Sequence, residues 1–108
     1  MTTRLRLTPE GKAKWVKALR GRKFKQGTGY LYRKDKHCCL GVLCEVNKEI
    51  AEAVYDWKSY RSFLVINEHD DEHDVGLPFS IQSKLAKMND DGLSFKAIAD
   101  YIEKSKRI

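Results

Sequence analysis

The stretch His37-Cys38-Cys39-Leu40-Gly41-Val42-Leu43-Cys44-Glu45 is the most distinctive part of this 108-residue sequence. It lies at the start of a segment, residues 38–53, whose apolar side chains cover a wide arc of a helical wheel drawn at 100° per residue. We therefore predict one helix over residues 38–53, with that arc buried. The arc comprises Cys39, Leu40, Val42, Leu43, Cys44, Val46 and Ile50.

Two residues of the same stretch fall outside the arc. Gly41 lies on the polar side of the wheel, and Cys38 lies with the polar residues at the first helical turn. The pattern thus predicts that Cys39 and Cys44 are core thiols and that Cys38 is the exposed one. Three cysteines, two of them adjacent, are a poor disulfide framework, and reduced thiols are typical of cytosolic proteins.

Local signals place other elements around this helix. Thr8 is a suitable N-cap, Pro9 suits the first helical position and Gly21 suits the end, which predicts a helix between them. The other predicted elements are a strand at residues 30–32, a turn at 34–36, strands at 54–58 and 60–67, and helices at about 80–88 and 95–105. About four helices packed with a small antiparallel sheet make an α+β fold, in a single domain over residues 1–108.

The composition suits a domain that folds without help from a metal, cofactor or disulfide. Apolar residues make up 42% of the chain and charged residues 33%, which is enough apolar material for a core. No apolar run approaches the roughly 18 residues that span a bilayer, and the N-terminus lacks the apolar region of a secretory signal. We expect a cytoplasmic protein with no membrane partner and no cofactor, and leave open whether it forms a homo-oligomer.

Positive charge is concentrated in the first third of the chain. Residues 1–36 contain twelve Lys and Arg against two acidic residues, whereas residues 37–108 contain nine against thirteen. This asymmetry favours an anionic partner for the first third, such as a nucleic acid, a nucleotide or an acidic face of another protein. The alternative is a positively charged surface that only improves solubility.

The best candidate for an anion-binding site is the basic, glycine-containing segment after the first helix. Glycines let backbone N–H groups approach phosphate oxygens, and tyrosines stack on bases. The segment is not a P-loop, because no Gly-Lys-Ser/Thr is present, and an ordinary basic turn is the alternative. The predicted ligand-binding residues are Arg22, Lys23, Lys25, Gln26, Gly27, Gly29, Tyr30 and Arg33.

A thiol at the first turn of a helix has its pKa lowered by the positive helix end, so Cys38 is an alternative catalytic nucleophile. Its general base would be a distant histidine, His73 or His69, in the acidic loop 68–74. Packing of the cysteines in the core is the competing interpretation. A zinc site built from these thiols and histidines lacks the usual ligand spacing, and we predict no metal.

Four segments of the sequence together form a recognisable pattern. They are Trp15-Val16-Lys17-Ala18-Leu19-Arg20-Gly21, Lys25-Gln26-Gly27-x-Gly29, Cys38-Cys39-Leu40-Gly41-Val42-Leu43-Cys44-Glu45 and Met88-Asn89-Asp90-Asp91-Gly92-x-Ser94-Phe95-x-x-Ile98-Ala99-Asp100-x-Ile102-Glu103. This pattern resembles a family of small tailed-phage and prophage proteins. The resemblance covers most of the chain but not residues 55–80, and its Cys-Cys-Leu-Gly-Val-Leu-Cys run is specific. It implies a phage accessory protein acting in the infected bacterial cell, and it carries over no catalytic residue.

These observations predict a non-enzymatic phage accessory protein that binds an anionic ligand, either a nucleotide-type molecule or a nucleic acid, in order to counteract a host defence. One alternative is a cysteine-dependent hydrolase or transferase that uses Cys38. Another is a protein–protein inhibitor that offers a charged face to a host enzyme.

Overall fold

The computed structural model describes residues 7–53, 57–59, 79–105 and 108 of the chain. These residues form five α-helices, one 3₁₀ helix and three short strands, which confirms the predicted α+β class. In chain order the elements are α1 (Pro9–Arg20), β1 (Lys25–Gln26), β2 (Tyr32–Arg33), β3 (Lys36–His37), α2 (Cys39–Val46), α3 (Lys48–Ala53), the 3₁₀ helix (Trp57–Ser59), α4 (Phe79–Asp90) and α5 (Phe95–Lys104). No helix within these ranges is both long enough and apolar enough to cross a bilayer.

Helix α1 begins and ends where its sequence predicts. The hydroxyl of Thr8 accepts a hydrogen bond from the backbone N–H of Gly11 at 3.0 Å, and Pro9 occupies the first turn. The backbone N–H of Gly21 closes the last turn. The indole N–H of Trp15 donates to the backbone carbonyl of Cys39 at 2.8 Å and ties α1 to α2. The helix buries Trp15, Val16 and Leu19.

The three strands form a mixed sheet in the order β1-β3-β2. Strand β1 is parallel to β3 and β2 is antiparallel to it, so the predicted antiparallel pairing holds only for the β2–β3 hairpin. Lys34 and Asp35 join β2 to β3 with φ values of 52° and 65°, which is the geometry of a two-residue type I′ turn. This tight turn leaves Lys36 in β3, although the sequence pattern assigns it to the turn.

Helix α2 ends at Val46, so the prediction of one continuous helix over residues 38–53 is wrong. Asn47 has φ −122° and ψ 97°, which lie outside the helical region. Its N–H donates to the carbonyl of Leu43, and its own carbonyl accepts from the N–H of Ala51. Asparagine favours such cap positions over helix interiors, and Asn47 both ends α2 and precedes α3.

The predicted apolar arc is buried at its first five positions, Cys39, Leu40, Val42, Leu43 and Cys44, and Val46 is partly buried. The side chain of Ile50 lies outside the described residues. Cys38 and Gly41 are also buried, so the predicted exposure of Cys38 is wrong. The backbone of Leu31 covers both residues. Its carbonyl accepts a hydrogen bond from the N–H of Cys38 at 3.2 Å, and it lies directly on Gly41.

Helices α4 and α5 confirm the two helices predicted in the last third of the chain. The hydroxyl of Ser94 accepts from the N–H of Ala97 at 3.2 Å and caps α5. Helix α5 buries Phe95, Ile98 and Ile102, whereas Tyr101, predicted with them, is only half-buried. The 3₁₀ helix replaces the end of the strand predicted at 54–58, while residues 54–56, the strand predicted at 60–67 and the acidic loop 68–74 lie outside the described residues.

Asn89, near the end of α4, is fully buried and holds three segments together. Its Oδ1 accepts from the backbone N–H of Cys39 at 3.2 Å and from Nε2 of Gln26 at 3.0 Å. Its Nδ2 donates to the carbonyl of Gly27 at 2.8 Å. The first N–H groups of a helix have no partner within the helix, and Asn89 supplies one from a different helix.

We expect Gly41→Ala to destabilise the protein strongly. A Cβ atom on Gly41 would lie 1.8 Å from the carbonyl oxygen of Leu31, a backbone atom that cannot move alone. Overpacking of this kind should lower the free energy of unfolding by about 3 kcal/mol or more, measured by urea denaturation. Gly21→Ala is the matched control, because its Cβ would meet nothing closer than 3.5 Å. Equal stability of the two variants would contradict the close approach of Leu31.

Replacing Asn89 by leucine, which has the same number and branching of side-chain heavy atoms, should lower the free energy of unfolding by about 2–5 kcal/mol. The substitution removes the partner of the buried Cys39 N–H and of the partly buried Gly27 carbonyl, and each such loss costs about 1–3 kcal/mol. The neighbouring Asp90→Asn is the control, because an asparagine oxygen can still accept from the N–H of Gly29. Loss of stability in the control alone would show that Asn89 is not the joining residue.

Candidate anion-binding site

The register of the sheet sorts its side chains onto two faces. Lys36 in β3 pairs with Lys25 in β1 and with Arg33 in β2. Residues directly opposite each other project to the same side of a sheet, and all three of these side chains are exposed. We call Lys25, Arg33 and Lys36 the cationic face.

The opposite face is packed against the protein. His37 pairs with Gln26 and with Tyr32, and these three side chains are buried or half-buried. The inward-facing residues are therefore polar or aromatic, and the outward-facing residues are all basic.

Three like charges in register are an unfavourable arrangement. Neighbouring strands lie about 4.8 Å apart, and like charges directly opposite each other on a sheet destabilise it. None of the three cations forms an ion pair with another described residue. The positive potential of the cationic face is therefore not neutralised by the part of the protein that the structure describes.

The ring of Tyr30 lies beside this face, and the ring of Phe24 lies behind it, against His37. The guanidinium of Arg33 lies 4.7 Å from the ring centroid of Tyr30, and Nζ of Lys23 lies 5.6 Å from that of Phe24. Both are cation–π distances. Asp35 is the one acidic residue in residues 21–37, and its carboxylate accepts a hydrogen bond from the hydroxyl of Tyr32 at 3.0 Å.

The structure brings together Lys25, Tyr30 and Arg33 of the predicted set, and Arg22 and Lys23 are exposed in the segment that leads into β1. It also adds Lys36, which the sequence analysis missed. The turn assignment hid Lys36, because only a two-residue turn at Lys34-Asp35 places it at the centre of the sheet.

Gln26, Gly27 and Gly29 have structural roles that differ from the predicted contact with an anion. Nε2 of Gln26 donates to Asn89 and, at 2.6 Å, to the carbonyl of Leu93. The N–H of Gly27 donates to the carbonyl of His37 at 2.8 Å, and that of Gly29 donates to Asp90 at 3.1 Å. These donors hold the loop in place and are not directed at a ligand.

Two of the four basic residues of α1 also have structural partners. Arg20 forms ion pairs with Asp100 at 2.7 Å and with Glu103. Nζ of Lys12 donates to the backbone carbonyls of Ser105 at 2.8 Å and Ile108 at 3.0 Å. Part of the positive charge of the first third therefore binds α1 to α5 and to the residues that follow it. The three cations of the cationic face have no such partner among the described residues.

The alternative nucleophile, Cys38, is poorly placed for catalysis. Its side chain is fully buried, and this burial raises the pKa of the Cys38 thiol to about 11. Burial likewise raises the pKa of Cys39 and of Cys44. Thiolate, the reactive form, is therefore scarce at neutral pH. The proposed bases His69 and His73 lie outside the described residues, and the described residues contain no group of three side chains placed to bind a metal.

His37 lies directly behind the cationic face in an aromatic cluster. Its ring centroid is 5.0 Å from that of Phe24, 4.9 Å from that of Tyr32 and 6.5 Å from that of Trp57. The side chain is buried, and neither ring nitrogen has a hydrogen-bond partner among the described residues. Nε2 is 3.8 Å from the carboxylate of Glu45. Burial lowers the pKa of His37, and the charge of Glu45 only partly opposes this.

The lowered pKa of His37 predicts a loss of stability in mild acid. Its ordinary pKa is 6.5, so below that pH the unfolded chain binds a proton that the folded protein resists. The free energy of unfolding should therefore fall between pH 7.5 and 5.5, by at most about 1.4 kcal/mol per pH unit. The variant His37→Phe keeps a ring among the aromatic neighbours. Its free energy of unfolding, measured by urea denaturation, should depend less on pH than that of the wild-type protein. A double substitution of His69 and His73 by Gln is the control and should keep the pH dependence of the wild-type protein. If the stability of the His37→Phe variant depends on pH as strongly as that of the wild-type protein, the prediction is contradicted.

No curated protein and no solved structure matches the chain. Residues 7–83 match a family that is described as a domain of unknown function, DUF8296. That match includes all three strands and therefore the whole cationic face. Since it spans well over half of the sequence, the chain belongs to the DUF8296 family.

Proposed function

We propose that this protein is a non-enzymatic binder of a phosphate-bearing ligand, a nucleotide-type molecule or a nucleic acid, and that the cationic face is its binding surface. The observation that carries the proposal is the register that places Lys25, Lys36 and Arg33 side by side. The attraction of these cations to a bound polyanion would offset their mutual repulsion.

The chemistry of the three side chains suits phosphate. Arginine presents a planar fork of donors that matches phosphate oxygens, and lysine supplies a compact point charge. The sheet holds all three at fixed spacing, so ordering them on binding costs less entropy than ordering them on a mobile loop. The Arg33–Tyr30 pair adds a planar surface next to the charges.

The phage setting implied by the sequence resemblance belongs to the same proposal. A small protein that captures a nucleotide-type signal or a nucleic acid inside an infected cell would counteract a defence that depends on that molecule. The burial of Cys38 supports capture over thiol catalysis. A host protein with an acidic surface is the competing ligand, and it is an outcome of the test below.

We expect the triple variant Lys25→Gln, Arg33→Gln, Lys36→Gln to bind phosphate polyanions about tenfold more weakly or worse, because each of the three exposed charge–charge contacts that it removes is worth roughly 0.5–1 kcal/mol. The measurement is calorimetry with tripolyphosphate, ATP and an oligothymidylate of about twelve nucleotides at low ionic strength. Removing three like charges should leave the stability of the fold unchanged or slightly higher.

The matched control is Lys14→Gln, Lys17→Gln, Lys96→Gln, which removes the same charge from exposed positions on α1 and α5. Its affinity should stay within about threefold of wild type, because only long-range attraction is lost. Equal weakening in both triple variants would show that net charge alone is responsible. If none of the three probes binds at low salt, the proposal is wrong and the acidic-protein alternative gains support.

A further inference from the structure

The cationic face is open, and this bears on the class of ligand. All three of its cations are exposed, at the surface of a sheet whose other face is packed. Small nucleotides are normally held in concave sites that bury most of their surface. An exposed row of charges suits a polymer that lies across it.

The charges are also spread out. Lys25 and Arg33 lie on the two outer strands with Lys36 between them, so at two strand spacings the outer backbones are roughly 10 Å apart. The phosphates of a mononucleotide form one compact group, whereas those of an extended nucleic-acid strand are spread along it. The row therefore matches about three successive phosphates, one for each cation.

A stacking surface lies at one end of the row. Arg33 belongs to the row, and its guanidinium lies 4.7 Å from the ring centroid of Tyr30, which is half-exposed. Bases of single-stranded nucleic acids stack on aromatic rings and on arginine planes. Stacking needs an unpaired base, which a duplex does not offer within its helix.

We infer that the ligand of the cationic face is a single-stranded nucleic acid, which places about three phosphates on Lys25, Lys36 and Arg33 and stacks a base on the Arg33–Tyr30 pair. This inference rests on the proposed function and narrows it. Backbone contacts and stacking do not read base edges, so binding is largely independent of sequence.

The test compares labelled oligothymidylates of about 2, 4, 8 and 12 nucleotides with ATP and with a duplex of equal length, by fluorescence anisotropy over a range of salt concentrations. Affinity should rise steeply from 2 nucleotides and level off near 4 to 8. The plot of log K against log salt should have a slope of about −2, because single strands release about 0.7 counterions per phosphate contact.

Variants separate stacking from charge. Tyr30→Leu should weaken binding of the 8-nucleotide strand by about fivefold to a hundredfold while leaving the salt slope unchanged, because it removes a stacking ring and no charge. Tyr30→Phe should retain binding. Tyr101→Leu is the matched control, because Tyr101 also lies under a cation, with Nζ of Lys84 4.9 Å from its ring centroid, but on α5. The melting temperature of each variant is measured alongside its affinity. If Tyr30→Leu does not fold, Arg33→Lys takes its place, because it keeps the positive charge and loses the planar guanidinium group.

The outcomes distinguish this inference from the proposed function. If ATP binds as tightly as the longest strand, or the duplex binds more tightly than either, the phosphate surface stands and the single-strand assignment is wrong. The assignment would also be overturned if Tyr30→Leu made the slope of log K against log salt less steep, or if that variant bound the 8-nucleotide strand as tightly as wild type. If no oligonucleotide, duplex or ATP binds at low salt, the proposed function itself fails.

Discussion

The hydrogen bonds of the buried Asn89 side chain set the relative positions of the other elements. Helix α2 has Cys38 at its N-cap position, and Cys38 provides no side-chain hydrogen bond to the helix. Asn89 provides that bond from α4 and uses its remaining hydrogen-bonding capacity on Gln26 and Gly27. One amide therefore fixes the start of α2, the end of α4 and the strand β1 relative to one another. Because it is buried, each of its bonds would be expensive to leave unmade.

The hydrogen bonds of Asn89 also set the position of the sheet. A single residue, Cys38, separates β3 from α2, so fixing the start of α2 also fixes β3. Strands of two residues are too short to be stable by themselves. They persist here because His37 packs among aromatic rings on the inner face, and because Gly41 lets the backbone of Leu31 lie directly on α2. Tertiary contacts thus stabilise a surface that its own hydrogen bonds would not.

This support explains how the outer face tolerates repulsion. The packing of the inner face offsets the unfavourable proximity of Lys25, Lys36 and Arg33. Elsewhere the protein uses its cations structurally, as with Arg20, which bridges α1 and α5 through two carboxylates. The high positive charge of the first third therefore has two parts. One part fastens helices, and the other part faces outward in register.

Elements whose signals are local could be predicted from the sequence alone. The caps of α1 and α5 and the apolar periodicity of α4 and α5 each depend on residues a few positions apart. A helical wheel is drawn from the residues of one helix, so it could not show that Leu31, from another segment, covers Cys38 and Gly41. Nor could a wheel or a composition count show the register that places Lys36 between two cations, or the hydrogen bonds from Asn89 to residues 50 to 63 positions away. Those features arise in the folded protein, because contacts between distant segments depend on how whole elements pack and not on local conformational preference.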